Sequence, residues 1–230
     1  MQEFGRVFVS LAKIENIFST LRSEFGDKID TELKYQNHYQ LLVAIMLSAQ
    51  STDKSVNNIT KELFKVLRQP QDAISLGETK INQYIRTINY HNTKAKHIVK
   101  MSQQLIDNFE AKVPKEFDDL LSLAGVGRKT ANLIMSIAFQ QSYIAVDTHV
   151  LRVSNRLGFV RATNAFTAEL QLKKNVPFKY HRQINNLLIP FGRKYCKARK
   201  PNCAECPLRH WCRLYNTLYR NKKQPSSQPK

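Results

Sequence analysis

Four cysteines, Cys196, Cys203, Cys206 and Cys212, fall within one short stretch spaced C-x6-C-x2-C-x5-C, and the chain has no others. Thiols this close in sequence can converge on one soft metal centre, which they ligate as thiolates. Two disulfides are the weaker reading, because a chain that starts without a secretory leader is expected in a reducing compartment. Zinc accepts four thiolates, but structural zinc sites usually show two short Cys pairs and this series has one. It is not the bacterial ferredoxin run either. On spacing alone, zinc and a four-iron cluster stand about even.

A second group of residues able to do chemistry lies in "LSLAGVGRKTANLI", residues 121 to 134. Glycine is scarce in this chain, 7 of 230 residues, yet Gly125 and Gly127 stand one residue apart. A helix ending near Ala124, a tight Gly-Val-Gly turn and a second helix from Arg128 make a helix-hairpin-helix. The glycines permit positive φ and bare N–H groups, Val126 anchors the turn, and the second helix turns its positive end outward. Such a turn binds an anion, and in DNA that anion is a backbone phosphate, gripped without regard to base sequence. The bland alternative is a helix cap and turn with no ligand.

On the second helix Thr130, Ile134, Ile137 and Ala138 form the expected inward face, while Lys129, Asn132 and Ser136 share a polar one. Lys129 therefore points away from the core. Pattern alone makes it one more phosphate-pairing lysine. The sharper reading is a nucleophile, since Arg128 and the helix N-terminus create a positive potential that disfavours the protonated amine. A carboxylate to manage protons follows in "IAVDTHVLRVSNRL", where Asp147 reads first as the N-cap of the next helix. A cap also fixes a carboxylate in place, as proton transfer requires. His149 reads as structural or phosphate-facing.

Helices must position these groups. Leu11, Ile14, Phe18, Leu21 and Phe25 recur at helical spacing, residues 39–49 read as a buried helix, and Ser51-Thr52-Asp53 offer caps for a helix through Leu67, whose end Pro70 follows. Further helical patterns cover 78–88, 94–109 and 117–124. No convincing strand alternation appears, so the fold class is all-α. The tail from Asn221 is polar and Pro/Ser-rich and is expected to be disordered. With 36 Lys and Arg against 18 Asp and Glu, the net charge is +18, which points to a polyanionic partner. The longest apolar run, Leu41 to Leu47, is too short to span a bilayer.

In order along the chain, "LLVAIMLSAQSTDKSVN", "LAGVGRKTAN", "AVDTHVLRV" and "CKARKPNCAECPLRHWC" resemble the marks of the endonuclease III family of helix-hairpin-helix DNA glycosylases, and the resemblance runs from about residue 10 to about 215. It implies two domains: a six-helix domain over 31–141 containing the hairpin, and an iron–sulfur cluster domain made of 1–30 and 142–230. It implies a [4Fe-4S] cluster on the four cysteines, a Schiff-base lysine at Lys129 and an essential carboxylate at Asp147. Gln50 matches the residue that fills the hole left by a flipped nucleotide. Tyr90 and His91 match the second wedge loop. Gly125, Val126, Gly127, Arg128 and Thr130 match the phosphate-binding hairpin, and Lys197, Arg199 and Lys200 would track phosphates from the cysteine loop. The implied partner is double-stranded DNA with a damaged base or abasic site, bound by a monomer, with no membrane. The expected location is the cytoplasm of a bacterial-type cell, at the nucleoid.

Two departures from the family pattern stand out. Asn89 occupies a turn position where the family usually has glycine, and it is expected to tolerate the left-handed conformation there. Ala124 stands where proline commonly precedes the first hairpin glycine, which should loosen the turn slightly. Two rivals remain: a monofunctional mismatch glycosylase, which would lack the lysine at position 129, and a non-catalytic DNA-binding iron–sulfur protein, which needs neither Lys129 nor Asp147.

Overall fold

The computed structural model describes residues 9–27 and 31–220, so the tail from Asn221 lies outside the described residues. Among those described, the regular structure is helical and no strand occurs. The helices are α1 (Leu11–Phe25), α2 (His38–Ser48), α3 (Asp53–Val66), α4 (Pro70–Ile85), α5 (His91–Asn108), α6 (Phe117–Ser122), α7 (Arg128–Ile137), α8 (Thr148–Leu157), α9 (Ala165–Asn175), α10 (Gln183–Lys194) and α11 (Arg213–Arg220). They divide into two compact units, Asp30–Ala145 and Met1–Ile29 with Val146–Lys230.

In the first unit α2 forms the centre. Its residues from Tyr39 to Leu47 are all buried, as suits a helix apolar on every side. α3, α5 and α7 pack on it, and α4 packs on α3 and α5. The polar side chains that α2 carries inside are satisfied. Gln40 donates to the carbonyls of Phe64 and Leu67, and the Tyr39 hydroxyl meets Ser102 Oγ at 2.7 Å. Side-chain caps start these helices: Asn37 Oδ1 accepts from Gln40 N, and Thr52 Oγ1, among the caps the sequence offers, accepts from Ser55 N.

Pro70 follows the end of α3, as the sequence suggests, and it also opens α4, where its missing N–H costs nothing. The Asp72 carboxylate accepts from the backbone N–H groups of Arg68 and Gln69. α4 is broken at Gly77 (φ 70), so the pattern read over 78–88 is its second half.

In the second unit α8 is central, with α9, α10 and α11 against it and α1 against α10. Phe18 of α1 stacks on Tyr180 at 4.2 Å and on Phe159 at 6.1 Å. α9, α10 and α11 had no counterpart in the helical patterns read from sequence.

Candidate functional site

Three turns of the first unit gather around the C-terminal end of α2 and the N-terminal end of α5. The turn after α2 carries Gln50, exposed and left-handed at φ 59. The Lys94 ammonium donates to Leu47 O (2.8 Å) and Ala49 O (2.7 Å), carbonyls at a helix end that lack helical partners. Lys94 is buried, and that burial lowers its pKa from the ordinary lysine value. The turn before α5 carries Tyr90, left-handed at φ 60 and 65% exposed. Here the expectation for Asn89 changes. The left-handed residue is Tyr90, and Asn89 instead donates its Nδ2 to Gln50 O at 2.7 Å. His91 Nδ1 donates to Asn82 Oδ1 at 2.6 Å, which ties the ring back to α4.

The third turn is the hairpin between α6 and α7. Only Gly125 uses positive φ, at 76, and a Cβ there would meet Met46 Cε at 2.7 Å and His97 Nδ1 at 2.8 Å. Conformation and space both demand glycine at this position. Gly127 has extended backbone, and a Cβ there would meet nothing within 4 Å. Val126 is buried and anchors the turn as expected. As the N-cap of α7, Gly127 supplies no capping side chain to the first-turn N–H groups. The Arg128 guanidinium lies over the Phe117 ring at 5.2 Å, Thr130 is half-buried, and Lys129 is exposed. The polar face assigned to α7 holds only in part, because Asn132 and Ser136 are buried.

Ala124 does not loosen this turn. Its N–H donates to Gln104 Oε1 at 2.7 Å, and Gln104 Nε2 donates to Ser122 O at 3.1 Å. A proline could not make the first of these bonds.

In the second unit Asp147 is the N-cap of α8, its Oδ1 accepting from Val150 N at 2.7 Å. The same helix holds the cysteine loop through two arginines one turn apart. Arg152 donates to Cys196 O (3.0 Å) and Gly192 O (3.2 Å), and Arg156 to Lys197 O (2.7 Å), Ala198 O (3.0 Å) and Cys196 Sγ (3.4 Å). Arg152 also donates to His149 Nδ1, so the His149 proton sits on Nε2 and the ring is part of the support. Lys197, Arg199 and Lys200 are exposed on the loop so held.

Cys196, Cys203, Cys206 and Cys212 all line one cavity with Leu157, Phe191 and Tyr195 among its other walls. Burial pushes the Cys206 thiol up to about 11 and raises Cys203 and Cys212 as well. Thiolates there need a cationic partner to offset desolvation. Backbone N–H groups of Leu208, Leu214 and Tyr215 point at the sulfurs of Cys206 and Cys212. Among the described residues no three or more Cys, His, Asp or Glu are grouped to hold a single metal ion. Four thiols facing one cavity supply the donor set that a four-iron cluster takes.

Comparison with known proteins agrees with this geometry. The HhH-GPD superfamily of base excision DNA repair proteins matches residues 43–178. The iron–sulfur binding domain of endonuclease III matches residues 196–212, which runs from the first cysteine to the last. The chain is 42% identical to endonuclease III of Rickettsia prowazekii over 89% of its own length and 96% of the relative's.

The chain belongs to the endonuclease III family. The Bacillus subtilis member is 44% identical over 80% of this chain and 84% of its own. A solved structure of a trapped endonuclease III–DNA covalent intermediate superposes with a TM-score of 0.84 at 41% identity, covering 91% of this chain and 99% of that one. As a family member the chain is a DNA-binding base excision repair enzyme, a DNA glycosylase with abasic-site lyase activity, and it carries a [4Fe-4S] cluster. Among the described residues no helix is long and apolar enough to cross a membrane.

Sequence reasoning missed four residues that support these loops: Lys94, Gln104, Arg152 and Arg156. The two arginines had a signal, the four-residue spacing that puts them on one face of a helix leading toward the cysteines. Lys94 and Gln104 had none, since each bonds backbone far away in sequence.

Proposed function

We propose that the enzyme removes oxidised pyrimidines, of the thymine-glycol type, from duplex DNA and then cleaves the abasic site by β-elimination, with Lys129 as nucleophile. The observation that carries this reading is the position of Lys129, an exposed amine in the first turn of α7, directly behind a glycine cap that leaves the helix end without a capping side chain. Phosphate held by the N–H groups of that turn sets the neighbouring sugar near the amine. Room outside Gly127 supports close approach of a phosphate.

The neutral Lys129 Nζ attacks C1′, the glycosidic bond breaks, and its electron pair leaves with the base, which takes up a proton. The sugar ring opens to a Schiff base, a proton is lost from C2′, and the 3′ phosphate departs. Asp147 assists proton transfer and stabilises positive charge on the sugar. Its cap bond engages Oδ1 and fixes the carboxylate. Gln50 and Tyr90 fill the space left by the extruded nucleotide, Tyr90 by stacking. Gly125, Val126, Gly127, Arg128 and Thr130 grip phosphate at the hairpin, His91 borders the Tyr90 turn, and Lys197, Arg199 and Lys200 follow the backbone from the cysteine loop. Cys196, Cys203, Cys206 and Cys212 hold the cluster, whose contribution is to staple that loop. In these terms residues 31–141 form the six-helix domain and residues 1–30 with 142–230 the cluster domain. The enzyme acts as a monomer at the bacterial nucleoid, drawn to DNA by its net charge of +18.

Borohydride trapping on a duplex with one oxidised pyrimidine tests this reading, with Lys129→Gln alongside. A covalent protein–DNA band that vanishes in the variant is expected. Base release without a band would mean a monofunctional glycosylase and remove Lys129 from the chemistry.

A further inference from the structure

Two neighbouring turns of the first unit each hold a non-glycine residue in the left-handed region, Gln50 at φ 59 and Tyr90 at φ 60. Such a backbone persists only where its surroundings over-determine it. Around these two residues, two side chains supply that constraint. Asn89 Nδ2 donates to Gln50 O, so the turn before α5 holds the turn after α2 directly. Lys94 sits at the junction: its ammonium donates to Leu47 O and Ala49 O, and its backbone N–H to Tyr90 O at 3.0 Å. Gln50 and Tyr90 are both exposed while Lys94 beneath them is buried. A glycine at position 89 would have no side chain to make the first link.

We infer that Asn89 and Lys94 are positioning residues that join the Gln50 and Tyr90 turns into one preformed wedge. This rests on the reading that Gln50 and Tyr90 enter the duplex where a nucleotide has been extruded. Insertion by two separately mobile loops would lose conformational freedom at the moment of extrusion. Two loops already joined lose little, which lowers the free energy of the extruded state. The benefit is confined to substrates in which a stacked, paired nucleotide must be replaced.

The test compares one oxidised pyrimidine in two settings, paired in a duplex and placed in a single-nucleotide bulge that has no opposite base. Single-turnover excision is measured for wild type, Asn89→Ala and Lys94→Met. Loss of the Asn89 bond is expected to slow excision from the paired duplex roughly fivefold while changing the bulge rate by less than about twofold. Lys94→Met is expected to act in the same direction and more strongly. Asn89 is exposed, so its variant keeps the wild-type melting temperature and carries the test even if Lys94→Met does not fold. Equal slowing on both substrates, or no slowing on either, overturns the inference while leaving the glycosylase reading intact. A wild-type protein that excises from neither substrate removes the glycosylase reading and this inference with it.

Discussion

The hairpin and wedge turns of the first unit and the cysteine loop of the second are all short, exposed connections that meet DNA in the proposed function, yet different forces hold them. The turns stand on the apolar core around α2 and are fixed by neutral amides and one buried lysine bonded to backbone. The cysteine loop has almost no core of its own, for among residues 196–212 only Leu208 is buried. Arginines from α8 hold its carbonyls, and its four thiols face a common cavity. Hydrophobic burial therefore fixes the first set, while hydrogen bonds from α8 and, in the proposed function, the cluster on the four thiols fix the second.

The largest expected effect breaks the comparison on the cysteine side. Cys203→Ser should lose the visible absorbance of the cluster, and amide hydrogen exchange should accelerate across residues 146–220 while 30–145 stays protected. Uniform exchange through both units would show that the cluster is not what holds the loop. Asp147→Asn comes next. Asparagine caps as well as aspartate, so the melting temperature should hold while single-turnover excision falls about 100-fold, the lower range for a lost proton-transfer group.

The hairpin glycines then separate fold from binding. Gly125→Ala forces a side chain into positive φ and against Met46 and His97, and should cost about 3 kcal/mol in denaturant unfolding. Gly127→Ala meets no such contact. It should leave stability unchanged and weaken duplex binding about tenfold; unaltered binding would mean that phosphate does not approach there. Smaller again is Gln104→Ala, expected to cost about 1 kcal/mol. Paired with Ala124→Pro in a double-mutant cycle, it should show coupling, because both remove the same bond.

The smallest effect is a surface tie in the second unit. Hydrogen bonds from Lys194 and Tyr195 hold the Glu24 carboxyl below the usual carboxylate range. Its stabilising effect is present above the unfolded value of 4.5 and is lost as pH falls through the lower folded value. Melting curves of wild type and Glu24→Gln should therefore converge at acid pH and differ slightly near neutrality. At this exposure the difference is small.

The sequence by itself determined the helical class, the hairpin and the cap at Asp147, because each rests on spacing within one short stretch, and it determined the family through four motifs in order along the chain. Period and capping are local physics, while the cysteine spacing points to a soft metal centre and leaves the choice between zinc and a four-iron cluster to the family resemblance. Pro70 marked the end of α3 in the sequence, but its role in opening α4 was not legible there, because the same residue suits both places. Tertiary structure alone decided which glycine needs positive φ, how Ala124 is held, why Gln50 and Tyr90 keep left-handed backbones, and that α8 carries the cysteine loop. The glycine answer depends on packing against Met46 and His97, and the others on hydrogen bonds between residues 20 to 47 positions apart. No local periodicity encodes such a pairing, since a surface asparagine or lysine reads the same whether its partner is water or a distant carbonyl.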